Sequence, residues 1–357
     1  MMVIGISGCT ALLLTGFGIK DSIADFAQMQ YENIQILDGT VELKDAMSDS
    51  QKQALEQCLD EQTEDYAYVS ESSWNLLAGD EVKSVNLVIP EETENFDRYM
   101  NLHTEKQEPL SYPGVGEALI NTGLAERYQI HAGDEIRIQN DAMQTITVKV
   151  TGIFENYVYN YVLMSADTYE GQLEEAPEYK TLYVNIREGE DVHMAASELM
   201  KEDAVTAVQM NQDTKERITM MMSSLNYIVL VVILCAAGLA FIVLYNLTNI
   251  NITERIREIA TVKVLGFFHR ETETYVFREN MILTAIGSLV GLGLGVLLHG
   301  FVMEQIKVDM VSFATIIRPL SYVYSVVLTF VFYFLVNRVM AVKLEQINMA
   351  ESLKSVD

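Results

Sequence analysis

Residues 227–247 read Tyr-Ile-Val-Leu-Val-Val-Ile-Leu-Cys-Ala-Ala-Gly-Leu-Ala-Phe-Ile-Val-Leu-Tyr-Asn-Leu, and this apolar run contains no Asp, Glu, Lys or Arg. A helix needs roughly 20 mostly apolar residues to cross the hydrocarbon core of a bilayer. Residues 281–301 form a second uncharged run of this length, and residues 320–337 form a shorter one. The sequence therefore predicts a membrane-spanning helix at each of these three places.

A fourth apolar stretch covers residues 1–19. A secretory signal peptide would carry a basic start and a cleavage site of small residues, and neither is found here. Another interpretation is that the chain is a fragment that begins inside a helix. Of these alternatives, the sequence favours a spanning helix.

The predicted fold class is a membrane protein with four transmembrane α-helices and a large α+β extracytoplasmic domain between helices 1 and 2. Short cytoplasmic segments are enriched in Lys and Arg, which places the loop after helix 2 and the tail inside the cell. The predicted segments are transmembrane helix 1 (1–19), the extracytoplasmic domain (20–223), transmembrane helix 2 (224–248), a cytoplasmic loop (249–280), transmembrane helix 3 (281–301), an extracytoplasmic loop (302–319), transmembrane helix 4 (320–337) and a cytoplasmic tail (338–357).

The acidity of the chain belongs to one domain. Residues 20–223 carry 14 basic and 40 acidic residues, which accounts for the whole net charge of −26. Nucleic acid would be repelled by this surface, so we exclude it as a partner. The surface is either simply solvated or able to attract cations and cationic peptides.

Alternating apolar and polar residues predict strands in the acidic domain, because side chains of a half-buried strand point alternately inward and outward. The predicted strands are 82–89, 135–139, 146–153 and 181–186, with a further strand-like stretch at 33–37. Predicted helices cover 55–65, 116–128 and 194–201, and a last one at 213–224 continues into transmembrane helix 2.

No arrangement of residues in this chain indicates catalysis. The G-x-x-x-x-G-K-[ST] phosphate-binding pattern is absent, as are the spacings typical of a nucleophile elbow or a zinc site. The three cysteines, Cys9, Cys58 and Cys235, offer no disulfide framework within the acidic domain. We expect no catalytic residue, no metal and no cofactor.

Gly287, Gly291 and Gly295 recur every four residues in the third apolar stretch. This spacing places them on one helix face, where another helix can approach closely. We predict that they pack against a helix of this subunit or of a second copy. His299, near the end of the same stretch, is interpreted as a structural histidine, with a proton carrier as the alternative.

Residues 249–266 read Asn-Ile-Asn-Ile-Thr-Glu-Arg-Ile-Arg-Glu-Ile-Ala-Thr-Val-Lys-Val-Leu-Gly. Helical spacing places Ile252, Ile256, Ile259 and Lys263 on one face. Gly266 is in a suitable position to end the helix. The pattern predicts an amphipathic helix at the inner membrane surface, which either binds a soluble partner or only anchors to lipid headgroups.

This segment resembles the E-R-x-R-E-I-x-x-x-K-x-L-G pattern that follows the second membrane helix of the FtsX-like permeases, the MacB-type family of ABC transporter membrane subunits. A second resemblance lies in residues 130–138, which contain Gly-Asp-Glu-Ile, followed by Val-Thr-Gly-Ile in residues 150–153. The four-helix layout with the large domain between the first two helices is also similar. The chain resembles the C-terminal permease unit of a larger member.

The resemblance implies a permease in a bacterial plasma membrane whose partners are a cytoplasmic ABC ATPase, membrane lipids, and a second copy or another permease half. The ATPase contact would have an apolar face that fills a groove and charged residues that set orientation. It would comprise Ile252, Glu254, Arg255, Ile256, Arg257, Glu258, Ile259, Lys263 and Gly266.

ATP hydrolysis by the partner would then drive movement of the outer domain, acting on peptide, lipid, lipoprotein or another envelope process. The alternative function is a membrane-anchored receptor or adaptor without an ATPase.

Overall fold

The computed structural model describes residues 2–24, 26–79, 81–256, 258, 261, 269–306 and 315–345. These residues fall into two compact units. The helical unit contains the described residues of 2–24, 222–306 and 315–345, and the sheet unit contains those of 26–221.

The described residues of the sheet unit include nine strands, which hydrogen-bond in the order β3-β7-β4-β6-β5-β2-β8-β1-β9. Their bounds are β1 Gly39–Leu43, β2 Thr63–Ala78, β3 Glu81–Pro90, β4 Glu117–Asn121, β5 Glu135–Gln139, β6 Thr145–Phe154, β7 Tyr161–Leu163, β8 Thr181–Ile186 and β9 Val205–Met210. The helices of this unit are α2 Phe26–Gln28, α3 Asp49–Gln62, α4 Thr122–Tyr128, α5 Ala166–Leu173 and α6 Val192–Leu199, with a π-helical turn at Met29–Ile34 and a 3₁₀ turn at Phe96–Arg98.

Strand β2 also pairs with β3, which closes six strands into a barrel-like ring: β3, β7, β4, β6, β5 and β2. Strand β6 shows why the ring has an apolar interior. Its Ile146, Val148 and Val150 are buried, while the residues between them are exposed, as the two-residue period of a strand requires. Ile146, Val148 and Val150 pack with Trp74 of β2 and Leu124 of α4 in one core, and other buried residues of the ring, such as Leu119 and Leu163, belong to a second cluster.

The other end of β2 belongs to a four-stranded antiparallel group with β8, β1 and β9. Leu55 and Leu59 of α3 and Leu199 of α6 pack in the core of this group. Ser48 begins α3 with a capping box, because its hydroxyl accepts from the backbone N–H of Gln51 while its own N–H donates to the Gln51 side chain. The long strand β2 is therefore shared by two strand groups with separate cores.

The structure confirms the predicted strands at 82–89, 135–139, 146–153 and 181–186, which are β3, β5, β6 and β8. Two predictions were wrong. Residues 33–37 form no strand: the π-helical turn runs to Ile34, and Gln35 makes an isolated bridge with Met100. Residues 116–128 are not one helix, since their first half is β4 and only Thr122–Tyr128 is helical. β4 is so fully buried that it lacks the alternation that marks a strand.

The described residues include four long helices: α1 Met2–Ala24, α7 Asn211–Glu254, α8 His269–Ile306 and α9 Pro319–Glu345. The first eleven residues of α7 belong to the sheet unit, and the rest of α7 and the other three helices belong to the helical unit. Within the described residues, each contains a segment that is long and apolar enough to cross a membrane. Helix α7 begins directly after β9 in the sheet unit, as the predicted continuation at 213–224 required. It extends to Glu254, past the predicted end of transmembrane helix 2 at residue 248.

Candidate functional site

A charge pair at the end of α7 joins it to α8. Both terminal nitrogens of Arg255 donate to the carboxylate of Glu279, and the Nη2–Oε1 distance is 2.7 Å. Arginine and carboxylate match in this two-bonded geometry, which fixes direction as well as distance. The pair therefore holds Arg255, the first residue after α7, against α8.

An apolar cluster lies one turn before this pair. Ile252 is 3% exposed and packs with Ile6, Leu244, Val336 and Met340. The sequence placed Ile252 on the face that fills a groove of the ATPase. Its side chain is instead buried within this chain, because α7 continues as part of the bundle through this position.

Polar side chains lie beside the cluster. Asn251 Nδ2 donates to Asn280 Oδ1 at 2.5 Å. Asn280 is fully buried, and among the described residues its own Nδ2 has no hydrogen-bond partner. A buried donor without a partner destabilises the folded arrangement that contains it. The buried polar groups at this end of the bundle therefore do not make all the hydrogen bonds that they could.

The three glycines of α8 face α1 of the same chain. A Cβ added at Gly291 would lie 2.7 Å from both Ser7 O and Thr10 Cβ, and one added at Gly287 would lie 2.9 Å from Ile6 Cβ. At Gly295 the nearest atom would be Leu14 Cβ, also at 2.9 Å. No side chain fits at these distances, so glycine at all three positions allows α1 and α8 to pack at close range.

A second polar group lies at the other end of the bundle. The carboxylate of Asp21 in α1 accepts from Arg318 N at 3.0 Å and from Ser321 Oγ at 2.5 Å. These two donors stand at the first turn of α9, where backbone N–H groups have no partner within the helix. A negative charge is stabilising at that end of a helix, so Asp21 caps α9 from outside it.

His299 belongs to this second group and is 2% exposed. Its Nε2 lies 3.2 Å from Ser22 Oγ, which also donates to Ile316 O at 3.1 Å. A Cβ at Gly18 would lie 2.7 Å from His299 Cδ2, so the glycine leaves room for the imidazole. This packing agrees with the structural interpretation of His299.

The sheet unit contains a third buried polar network, around Glu155. His103 Nε2 lies 3.0 Å from its carboxylate, Gln107 Nε2 donates to it at 3.0 Å, and the Tyr157 hydroxyl donates to its other oxygen. Burial, with the hydrogen bond to Glu155, raises the pKa of the Tyr157 hydroxyl, which keeps it a donor. The network thus joins three polar side chains to one buried carboxylate.

Gln30, in the π-helical turn after α1 and α2, extends this region. Its Nε2 donates to Asn156 Oδ1 at 2.8 Å, and its Oε1 accepts from Tyr157 N at 2.9 Å. Sequence reasoning missed Gln30, Asp21 and Asn280. The only signal in the sequence was that each is a polar residue in or next to an apolar stretch. Their hydrogen-bond partners are 29 to 300 residues away along the chain, so the sequence does not identify them.

The predicted ATPase contact is described only in part. Glu254 and Glu258 are exposed, and Arg255 and Ile256 are partly buried. Arg257, Ile259, Lys263 and Gly266 lie outside the described residues. In the part of the chain that the structure describes, no group of three His, Cys, Asp or Glu side chains could hold a metal ion.

Two protein-family models match this chain. The MacB-like periplasmic core domain matches residues 1–202, and the FtsX-like permease C-terminal model matches residues 230–347. The first match alone covers more than half of the chain. This chain belongs to the FtsX/MacB family of ABC transporter permeases. A membrane permease of this family has transmembrane helices and an extracytoplasmic domain, and the four long apolar helices and the sheet unit of this chain fit these two parts.

An uncharacterized ABC transporter permease of Methanocaldococcus jannaschii is 24% identical to this permease over 178 residues. The match covers 48% of this chain and 44% of that relative, so it spans less than half of the relative's length.

Two solved structures resemble about half of this chain. The periplasmic region of MacB from Actinobacillus actinomycetemcomitans has a TM-score of 0.34 and 12% identity, covering 52% of this chain and 94% of that one. The extracellular domain of the noncanonic ABC-type transporter YknZ, described as from Gram-positive bacteria, has a TM-score of 0.33 and 11% identity, covering 48% of this chain and 98% of that one.

Proposed function

We propose that this permease couples ATP hydrolysis by a separate cytoplasmic ATPase to movement of its extracytoplasmic domain. The observation that carries the proposal is the charged segment that begins at Glu254, inside the region matched by the FtsX-like model. The chain itself contains no G-x-x-x-x-G-K-[ST] pattern, so the proposal assigns ATP hydrolysis to a partner. The substrate would be a peptide, a lipid or a lipoprotein. Alternatively, the movement of the domain would control a process in the cell envelope.

The geometry at the end of α7 supports an ATPase contact that begins after Ile252. Ile252 is buried in the bundle, whereas Glu254 and Glu258 are exposed. Arg255 is bound by Glu279, so its part in the proposal is to orient the following segment. Ile256 would then be the first apolar side chain offered to the partner, followed by Ile259.

Two connections along the chain support transmission to the extracytoplasmic domain. Helix α7 is continuous from Asn211, next to β9, to Glu254. The segment after α1 is held by Gln30, which bonds to Asn156 and Tyr157 beyond the end of β6. In the proposal, displacement of these helices by the ATPase reaches both strand groups of the domain. A second copy or another permease half would complete the assembly in a bacterial plasma membrane.

Replacing Ile256 with Asp tests the proposal. We expect the variant to lose at least about tenfold in recovery of an ABC ATPase co-purified in mild detergent, because an unpaired carboxylate in an apolar contact is costly. Thr261→Asp is the matched control, since it adds the same charge at an exposed position. Recovery is measured by mass spectrometry, normalised to the permease.

Equal ATPase recovery with Ile256→Asp and wild type would contradict the contact at Ile256. Absence of any ATPase with the wild-type protein would favour the receptor or adaptor. Thermal unfolding of both variants in detergent shows whether Ile256→Asp still folds.

A further inference from the structure

A cleft of about 360 Å³ lies in the extracytoplasmic domain, where β2 passes from one strand group to the other. Val69 of β2 pairs with both β8 and β3, so the two groups separate at this point and leave space between them. Glu71, Ser72 and Ser73, which come shortly after Val69 in β2, line the cleft. The volume lies in the range of small-molecule sites.

The charge in the cleft is negative. Glu71 and Glu42 line it, and none of the described lining residues is Lys, Arg or His. The Tyr183 hydroxyl donates to Glu71 Oε2 at 3.0 Å, so this partner of the carboxylate carries no positive charge. Burial raises the pKa of the Glu71 carboxyl; the Tyr183 bond opposes this effect, and the charge of Glu42 adds to it.

Tyrosines form much of the wall. Tyr161 and Tyr183 are buried, Tyr31 is partly buried, and Tyr159 is 49% exposed. Aromatic faces attract cations, and tyrosine hydroxyls accept hydrogen bonds from N–H donors. The remaining polar lining consists of serine, threonine, asparagine and glutamine side chains, which are also acceptors. A carboxylate, aromatic walls and many acceptors together favour a compact cation that carries several N–H groups.

We propose that this cleft binds a ligand through a primary ammonium group, with Glu71 as its counter-ion. The ligand class comprises small aliphatic amines and the amino groups of peptides. Glu42, which is exposed, stands at the mouth and attracts the cation without enclosing it. The site is independent of the proposed ATPase contact, since every residue that lines it belongs to the sheet unit.

The test is isothermal titration of the full chain in detergent with 1,5-diaminopentane, and with 1,5-pentanediol as the neutral compound of equal length. We expect saturable binding of the diamine, none of the diol, and at least about tenfold weaker binding by Glu71→Gln, because the charge-assisted hydrogen bond is lost. Glu42→Gln should weaken binding less. Glu188→Gln, an exposed residue outside the cleft, removes the same charge and should leave binding unchanged.

The tryptophan emission supplies a local readout. Trp74 is the single tryptophan of the chain, and its Nε1 donates to Ser72 Oγ, a cleft residue, at 3.0 Å. A diamine that engages the cleft should shift this emission in the wild type and in Glu188→Gln, at concentrations that saturate the titration.

Glu71→Gln should remain folded. A carboxyl whose pKa is raised by folding stabilises the folded state only where it is protonated, and this contribution is lost as the pH rises through the raised value. The amide variant should therefore unfold at pH 7 at a temperature no lower than that of the wild type.

Equal weakening by Glu71→Gln and Glu188→Gln would show attraction to the acidic surface alone and overturn the proposal. Absence of saturable diamine binding by the wild type up to about 10 mM would also overturn it, since sites of this size bind specific ligands more tightly.

Discussion

The two ends of the helical bundle hold their polar groups differently. At one end Asp21, Ser22, His299 and Ser321 are all at most 9% exposed, and each has a hydrogen-bond partner. At the other end the side chains of Arg255 and Glu279 are 38% and 46% exposed. Asn280 Nδ2, also at this second end, is a buried atom that has no hydrogen-bond partner in the part of the chain that the structure describes.

This difference indicates which end is built to stay fixed. A buried, hydrogen-bonded carboxylate is expensive to separate from its donors, whereas an ion pair open to solvent exchanges its partners readily. Segments that move in function belong to the less stable parts of a protein. The Arg255 end is thus suited to a changing contact, and the Asp21 end to a permanent joint between α1 and α9.

The largest effect is expected from breaking the contact between α1 and α8, which lies between the two ends of the bundle. Gly291→Leu places a side chain where a Cβ alone would lie 2.7 Å from Ser7 O. We expect the loss of α1–α8 packing to cost about 3 kcal/mol or more, seen as a lower unfolding temperature and poor recovery of folded protein in detergent.

Gly293→Leu is the matched control, because no atom lies within 4 Å of a Cβ at that position. It adds the same side chain to the same helix and should leave the unfolding temperature nearly unchanged. If the two variants behave alike, close packing at Gly291 is not what holds α1 against α8.

A smaller effect is expected at the Asp21 end. Asp21→Ala leaves the Arg318 N–H and the Ser321 hydroxyl without their acceptor, and should destabilise the bundle by about 1–3 kcal/mol in thermal unfolding. Asp21→Asn keeps one acceptor and should lose less. Glu279→Gln, at the other end, should cost at most about 1 kcal/mol, since its ion pair is half exposed. A larger loss from Glu279→Gln than from Asp21→Ala would reverse the comparison.

The smallest change in stability comes from exchanging the charges of the ion pair. Arg255→Glu combined with Glu279→Arg should differ from the wild type by at most about 1 kcal/mol. We expect Arg255→Glu alone to reduce co-purification of the ATPase and the exchanged pair to restore it, because the pair acts by orientation. Continued loss in the exchanged variant would mean that the Arg255 guanidinium itself contacts the partner.

Much of the fold could be predicted from local patterns. The strands at 135–139 and 181–186 have the bounds of β5 and β8, because alternation along a half-buried strand is a property of consecutive residues. The predictions at 33–37 and 116–128 were wrong because the local pattern of these residues does not match the structure that they form. The first segment contains a π-helical turn, and the second contains a fully buried strand whose pattern does not alternate.

The candidate site was predicted less completely. The charged pattern from Glu254 onward marked the segment, but the burial of Ile252 was not predicted, because the helical wheel gives a face and does not say what covers it. The three glycines were recognised by their spacing, and their neighbour, α1, lies more than 270 residues earlier in the chain.

The sequence by itself determined four apolar segments, the confinement of the net charge to one domain, and the pattern of the FtsX/MacB family. Each of these depends on composition or on spacing over a few residues. Only the tertiary structure decided that Asp21 caps α9, that Arg255 pairs with Glu279, and that a cleft around Glu71 opens where β2 changes partners. These features are contacts between distant parts of the chain, and they exist only once the packing of helices and strands has brought those parts together.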